Sequence, residues 1–350
     1  MDSNQFVEFS NEEEVAMKVL VYSSRSYDKT FLGLANQGKH ELNFTEVSLE
    51  ESTAILAKNF PAVCCFVSDN VGAKVLEQLS QGGTGMVALR ATGFNNVDLE
   101  AASKLGITVM RVSHYSPHAV AEFAVGMILT MNRNLHRAHQ RVRDGNFSLE
   151  GLLGFDLHGK TVGVIGTGRI GAVFSRIMSG FGCNLLGHDK HENAECKQLG
   201  MRYVSLEELL GISDIVSLHC PLTPETHYII NANTIALLKP NAMLVNTSRG
   251  ALIDTRALIP HLKKCRTCSV CLDVYEEESD LYYRNLSDEV IDDDVIMRLL
   301  TFPNVLITGH QAFFTREAME TITGTTIKNI DDFSAGRTNE NVLNPEKVIA

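Results

Sequence analysis

Basic residues are in short supply in this 350-residue chain: 31 Lys and Arg stand against 42 Asp and Glu, a formal net charge of −11. That balance disfavours attachment to nucleic acid or to an anionic membrane surface. Long apolar runs are also missing. The longest, AVGMILTM at 124–131, falls far short of the roughly 20 residues a membrane span needs. The amino-terminal stretch MDSNQFVEFSNEEEV is acidic, with neither the apolar core of a secretory signal nor the arginine-rich pattern of a transit peptide. A cytoplasmic location is expected. Eight cysteines in a chain of this length, with no secretory leader before them, read as free thiols in a reducing compartment rather than as a disulfide framework.

With 44% apolar and 21% charged residues, the chain has the composition of an ordinary globular protein. Its length allows about two domains of the usual ~150 residues. From Lys18 onward, short β-branched apolar runs (KVLVYSS, PAVCCFVS, GMVALR, ITVMRV) alternate with helix-like segments at 51–60, 73–81 and 98–106. A second series begins at Lys160 with KTVGVIG, CNLLGHD, DIVSLHC, AMLVNTS, CSVCLDV and NVLITG. This rhythm predicts two α/β units, each built on a parallel sheet flanked by helices. Between them, Ser116-Pro117 opens a segment that predicts one long helix over 117–143, with Pro at its first position. A further helix over 315–335 has no following strand in the second unit and is expected to return to the first.

The sequence VGVIGTGRIG places Gly166, Gly168 and Gly171 in a G-x-G-x-x-G turn between an apolar strand and a helix. Gly166 permits the tight turn, Gly168 lets backbone approach a pyrophosphate, and Gly171 lets helix and strand close up. Arg169 and Ile170 then begin a helix whose free N–H groups favour an anion. Asp189 ends the next strand, where a carboxylate receives the adenosine ribose hydroxyls and repels a 2′-phosphate. NAD is the expected dinucleotide.

Three further segments, VNTSRGALID (245–254), LDVYEEE (272–278) and TGHQAFFT (308–315), join GTGRIG and ATGFNNVD (91–98) in a pattern that resembles the D-isomer-specific 2-hydroxyacid dehydrogenases, above all their fermentative, lactate-forming branch. The resemblance runs from about Lys18 to the last helix. It implies two Rossmann-like or flavodoxin-like domains, with an NAD domain at 115–314 inserted into a discontinuous substrate domain made of 17–114 and 315–345, and chemistry in the cleft between them. It implies reversible, NADH-dependent reduction of pyruvate to D-lactate by a homodimer. Arg249 takes the role of carboxylate clamp, His310 of proton donor and Glu278 of its orienting partner. Pro221, Thr247 and Asp273 join the glycine turn and Asp189 around the cofactor, Asp273 near the nicotinamide carboxamide. Thr92, Gly93 and Tyr115 attend the substrate carboxylate, and Phe313 limits substrate size.

The chemistry asks for those residue types in any case. A 2-keto acid carries a planar carboxylate that a guanidinium fork fits bidentately. Hydride addition to the carbonyl creates an alkoxide, so a proton must come from a group that titrates near neutrality, as His does. A carboxylate partner fixes the imidazole tautomer. Two other readings stay open: reduction of a different 2-keto acid (hydroxypyruvate, glyoxylate or a branched-chain analogue), and nucleotide sensing by a corepressor-like binding protein of the same fold.

Two other signals are discounted. Cys265, Cys268 and Cys271 recur every three residues, yet Cys268 and Cys271 fall on a predicted strand that points them to opposite faces, and no fourth ligand stands at a familiar spacing, so no metal is expected. Arg133, Arg137 and Arg141 make a basic stripe that reads as an exposed or dimer-contacting helix face rather than a nucleic-acid site.

Overall fold

The computed structural model describes residues 16–278 and 281–345. They divide into two units, one made of the described parts of Met1–Tyr115 and Thr315–Ala350, the other of Ser116–Phe314.

In the first unit, strands β1 (Lys18–Val21), β2 (Glu41–Phe44), β3 (Ala62–Cys65), β4 (Met86–Leu89) and β5 (Thr108–Met110) form a sheet in the order β2-β1-β3-β4-β5. Every pairing is parallel, and the order is that of a flavodoxin-like doubly wound sheet. β3 and β4 are buried along their whole length, because helices cover both faces of a parallel sheet. Val63 and Val87 meet Leu76 and Leu79 on one face, while Ala62, Cys64 and Met86 meet Leu32, Ile327 and Ile330 on the other. The last two belong to the helix Arg316–Ser334, which therefore returns to this unit. His40 fastens it, with Nε2 2.7 Å from Asp331 Oδ1.

The helix expected over 51–60 shrinks to a single 3-10 turn, Ala54–Ala57. The Thr53 hydroxyl donates to the Ser48 carbonyl at 2.6 Å and accepts from the Glu50 amide at 2.9 Å. Such local bonds compete with helical ones.

The second unit holds β6 (Thr161–Ile165), β7 (Asn184–His188), β8 (Arg202–Tyr203), β9 (Ile215–Leu218), β10 (Met243–Asn246), β11 (Ser269–Leu272) and β12 (Val305–Ile307), in the order β12-β11-β10-β9-β6-β7-β8. All pairs are parallel. The winding reverses between β6 and β9, so the crevice at their carboxyl ends is where such sheets bind ligands.

The single helix expected over 117–143 is instead two, Pro117–Asn132 and Leu135–Arg143. Asn134 breaks it with φ at 50°, a left-handed conformation that Asn tolerates better than most residues. The first piece is buried against Phe174 and Met178 through Ala121, Ala124 and Ile128, whereas the second buries no residue. No helix among the described residues is long and apolar enough to cross a membrane, and all eight cysteines are free.

Candidate functional site

At the end of β6 the chain turns so tightly that Gly166 adopts φ +90°, and a Cβ there would lie 2.4 Å from the Cys220 amide nitrogen. A Cβ on Gly171 would lie 2.0 Å from the Gly166 carbonyl oxygen. Both glycines are required by packing. Gly168 is not: a Cβ there meets nothing within 4 Å, and as N-cap of the helix Arg169–Gly180 it supplies no side-chain acceptor. The N–H groups at Arg169 and Ile170 thus begin a helix with no side-chain cap, the arrangement that receives a phosphate.

Asp189, just past β7, accepts the Thr167 amide at 2.6 Å and the His191 amide at 3.0 Å. Partial burial works to raise its pKa, but the hydrogen bonds from His191 and Thr167 outweigh it and hold the carboxyl below its ordinary value. It is a fixed negative charge at the switch point. Thr167 is further latched by the Tyr203 hydroxyl at 2.8 Å and by Asn193 Nδ2 on its carbonyl at 2.8 Å.

Pro221 follows β9 and is exposed, and its carbonyl accepts the Thr226 hydroxyl at 2.7 Å. Beside it, Cys220 receives the Ser248 hydroxyl at 2.7 Å, which ties the loop after β10 to the loop after β9. Thr247, in that loop, is 7% exposed, and its Oγ1 is buried with no hydrogen-bond partner among the described residues. A buried hydroxyl so placed leaves a hydrogen bond for a bound molecule to complete. With the open Gly168 turn and the Asp189 carboxylate, the donor set fits NAD.

Arg249, Glu278 and His310 lie past the ends of β10, β11 and β12, three neighbouring strands. His310 Nδ1 stands 2.9 Å from Glu278 Oε1. The neighbouring Glu276 turns elsewhere, accepting from the hydroxyl of Tyr228 and from the Thr255 hydroxyl at 2.8 Å, and its bond to Tyr228 pushes that phenol up to about 12. Glu277 is exposed. Arg249 is half-buried. Among the described residues its guanidinium forms no ion pair, and its side-chain hydrogen bond goes to the adjacent Ser248 carbonyl at 2.8 Å. Its remaining donors suit a carboxylate from outside.

Asp273 is fully buried, and its carboxylate accepts from the Thr308 hydroxyl at 2.6 Å and from the Gln311 and Ala312 amides at 2.9 and 2.8 Å. The structure makes it the anchor of the loop carrying His310, whereas the resemblance implies a contact with the nicotinamide carboxamide. His310 itself sits at φ 51°, and its carbonyl accepts the Tyr283 hydroxyl at 3.1 Å. Phe313 is half-buried and meets Phe314 edge-on, ring centroids 5.9 Å apart.

In the first unit, Thr92 and Gly93 follow β4. The Thr92 carbonyl accepts from Arg111 at 3.0 Å while the Thr92 Oγ1 is buried without a partner among the described residues. Tyr115 is half-buried near the unit's end.

Three contributors escape the sequence reading. Gly250 is required because a Cβ there would fall 2.0 Å from the Tyr275 carbonyl carbon, which brings the backbone after Arg249 against the backbone leading to Glu278. Thr308 and Tyr283 brace the His310 loop. The Ser-Arg-Gly order and the first residue of TGHQAFFT are usable signals for Gly250 and Thr308; Tyr283 carries none, being an ordinary polar residue in a loop.

A family model described as "D-isomer specific 2-hydroxyacid dehydrogenase, NAD binding domain" matches residues 125–312. A "2-hydroxyacid dehydrogenase homolog" from Haemophilus influenzae is 49% identical, with 94% of this chain and all of that protein aligned. Among solved structures, the apo form of D-lactate dehydrogenase from Escherichia coli superposes with a TM-score of 0.86 at 48% identity, covering 94% of this chain and 100% of that one. The pyruvate reductase of Chlamydomonas reinhardtii gives 0.89 at 41% identity, covering 93% and 98%.

Proposed function

Since the chain belongs to the NAD-dependent D-isomer-specific 2-hydroxyacid dehydrogenases, we propose that its reaction is the reversible reduction of pyruvate to D-lactate. The observation that carries this reading is a half-buried Arg249, without an ion pair among the described residues, in the loop after β10, beside the strands whose ends carry the bonded Glu278 and His310.

Bound NADH supplies the hydride. Arg249 clamps the substrate carboxylate bidentately and lends positive charge to the keto oxygen as it becomes an alkoxide. Glu278 accepts a hydrogen bond from His310 Nδ1–H at 2.9 Å, which leaves Nε2 to give its proton to the alkoxide, and to take it back in the reverse direction. Asp273 fixes the loop that carries the imidazole. Asp189 receives the adenosine ribose hydroxyls, and Thr247 and Pro221 line the cofactor site. Thr92, Gly93 and Tyr115 attend the substrate carboxylate, as the resemblance implies.

Pyruvate is favoured over larger keto acids by the ring of Phe313, three residues past His310, and by relatives named for lactate and for pyruvate. A cytoplasmic setting accords with eight free thiols. A homodimer accords with the helix Leu135–Arg143, which buries none of its own residues, and with Phe147, Leu149 and Leu153 beyond it, exposed by 76, 83 and 94%.

The test is NADH oxidation across a panel of pyruvate, hydroxypyruvate, glyoxylate and branched-chain keto acids, with chiral analysis of the product. Pyruvate with the highest kcat/KM and D-lactate as product are expected. A higher kcat/KM for another keto acid reassigns the substrate, and NADH binding without turnover of any points to nucleotide sensing.

A further inference from the structure

The three-residue spacing of Cys265, Cys268 and Cys271 does not make a ligand set, because Cys271 and Cys268 lie in different core clusters on opposite faces of the sheet. The fold substitutes His261 for Cys271. His261 and Cys265 are four residues apart at the end of the helix Thr255–Lys264, so they share one helix face, and the Cys265 amide donates to the His261 carbonyl at 2.8 Å. Cys268 follows after a two-residue turn, just before β11. One ligand atom from each of His261, Cys265 and Cys268 lies within 4.8 Å of the others.

An independent observation concerns the imidazole: His261 Nε2 is buried and has no hydrogen-bond partner among the described residues. A buried imidazole nitrogen left without a bond is a defect in an ordinary interior and an asset in a residue that clusters with two thiols. Both thiols currently donate to backbone, Cys265 to the Pro240 carbonyl at 2.8 Å and Cys268 to the Cys265 carbonyl at 2.9 Å. The Pro240 carbonyl also receives the Thr267 hydroxyl at 2.6 Å, so it stays satisfied when the Cys265 proton leaves.

We propose that His261, Cys265 and Cys268 form a site for a thiophilic metal ion, zinc, at the end of the NAD-binding unit away from the catalytic loops. Thiolate and imidazole together select such ions over magnesium or calcium. Tetrahedral zinc with bonds near 2.3 Å to sulfur and 2.0 Å to nitrogen separates its ligands by roughly 3.5–3.8 Å. The ligand atoms, all within 4.8 Å of one another, draw in to that spacing when the ion binds. Binding of Zn²⁺ converts two thiols to thiolates, releases two protons to solvent and leaves the fourth position to water. Nothing is oxidised or reduced. β11 separates Cys268 from Asp273, about 13 Å for its four residues, so the ion binds outside the reacting groups. Its effect is to hold the end of helix Thr255–Lys264 to the start of β11, stabilising the fold by mass action.

The full chain, reduced and freed of metal, is titrated with Zn²⁺ against a chromogenic chelator and separately with Co²⁺. One ion per chain is expected, with a thiolate-to-cobalt charge-transfer band and a rise in Tm on adding zinc. His261→Ala and Cys265→Ser should each weaken zinc binding tenfold or more while metal-free kcat/KM stays at the wild-type value. His261→Ala removes a side chain whose Nε2 has no partner, so it keeps the test open where a change at buried Cys268 fails to fold. Failure of the wild type to take up zinc overturns the proposal. So does uptake that persists undiminished in both variants, that lacks the thiolate band, or that disappears in His310→Gln instead.

Discussion

Asp273 holds His310 from behind: the His310 amide donates to the Asp273 carbonyl oxygen at 2.7 Å, and the Asp273 carboxylate takes the amides of the next two residues. The imidazole thus hangs from a loop whose bend, with φ at 51°, is set by one buried side chain.

Replacing Asp273 by Asn turns one acceptor oxygen into a donor that faces another donor. Hydrogen bonds to a charged group are worth about 1.5–3 kcal/mol each, and a misplacement of about 1 Å at a reacting group lowers rates ~100-fold. We expect Asp273→Asn to lower kcat/KM by about that factor and to lower Tm, read by steady-state kinetics and calorimetry. Wild-type kinetics in a destabilised protein would leave Asp273 a folding role only.

The consecutive carboxylates should separate cleanly. Glu278→Gln loses the charge that orients His310, and kcat should fall by ~10–100-fold. Glu276→Gln weakens bonds to Tyr228 and Thr255, so it should cost stability and leave kcat close to wild type. The reverse pattern would transfer the orienting role to Glu276.

Arg249→Lys keeps the charge and loses the fork. With ~1.5–3 kcal/mol at stake, kcat/KM for the keto acid should drop about 10- to 150-fold, while the Kd for NADH, measured by fluorescence, stays near wild type. Equal losses in both would place Arg249 in the cofactor site.

Asp189→Ser removes the charge that repels a 2′-phosphate and one anchor of the Thr167 amide. The NADPH/NADH ratio of kcat/KM should rise tenfold or more, on the order of 1.4 kcal/mol. An unchanged ratio would mean that the adenosine ribose lies elsewhere.

His219 gives the fold an acid liability. Burial beside Phe174, with ring centroids 4.8 Å apart, lowers its pKa to about 3 from the ordinary 6.5. Between those values the unfolded chain binds a proton that the fold excludes, so stability falls as pH drops, by at most ~1.4 kcal/mol per pH unit. In urea unfolding from neutral pH into mild acid, His219→Gln should show a shallower decline than the wild type. Parallel declines would assign the acid sensitivity to other groups.

Much of the architecture is legible in the sequence because parallel strands buried on both faces read as unbroken apolar runs, and AVCC, MVAL and TVGVI leave little choice. The glycine turn is equally plain, since Gly166 and Gly171 answer to backbone sterics. What stays hidden depends on partners distant in sequence. Asp273 is anchored by Thr308, Gln311 and Ala312, 35 or more residues away. The break at Asn134 is local but small against the helical signal on both sides of it. Selecting Glu278 within an acidic run draws on its spacing from Asp273 rather than on any property of the carboxylate itself.

With no room for even a methyl group between residue 250 and the Tyr275 carbonyl carbon, the loops after β10 and β11 have a single allowed spacing. Neither can be lengthened or exchanged alone without levering the other aside. A protein engineer who wishes to transplant this chemistry, or to graft a relative's version onto this scaffold, has to move both loops together as one cassette, from Asn246 through Glu278.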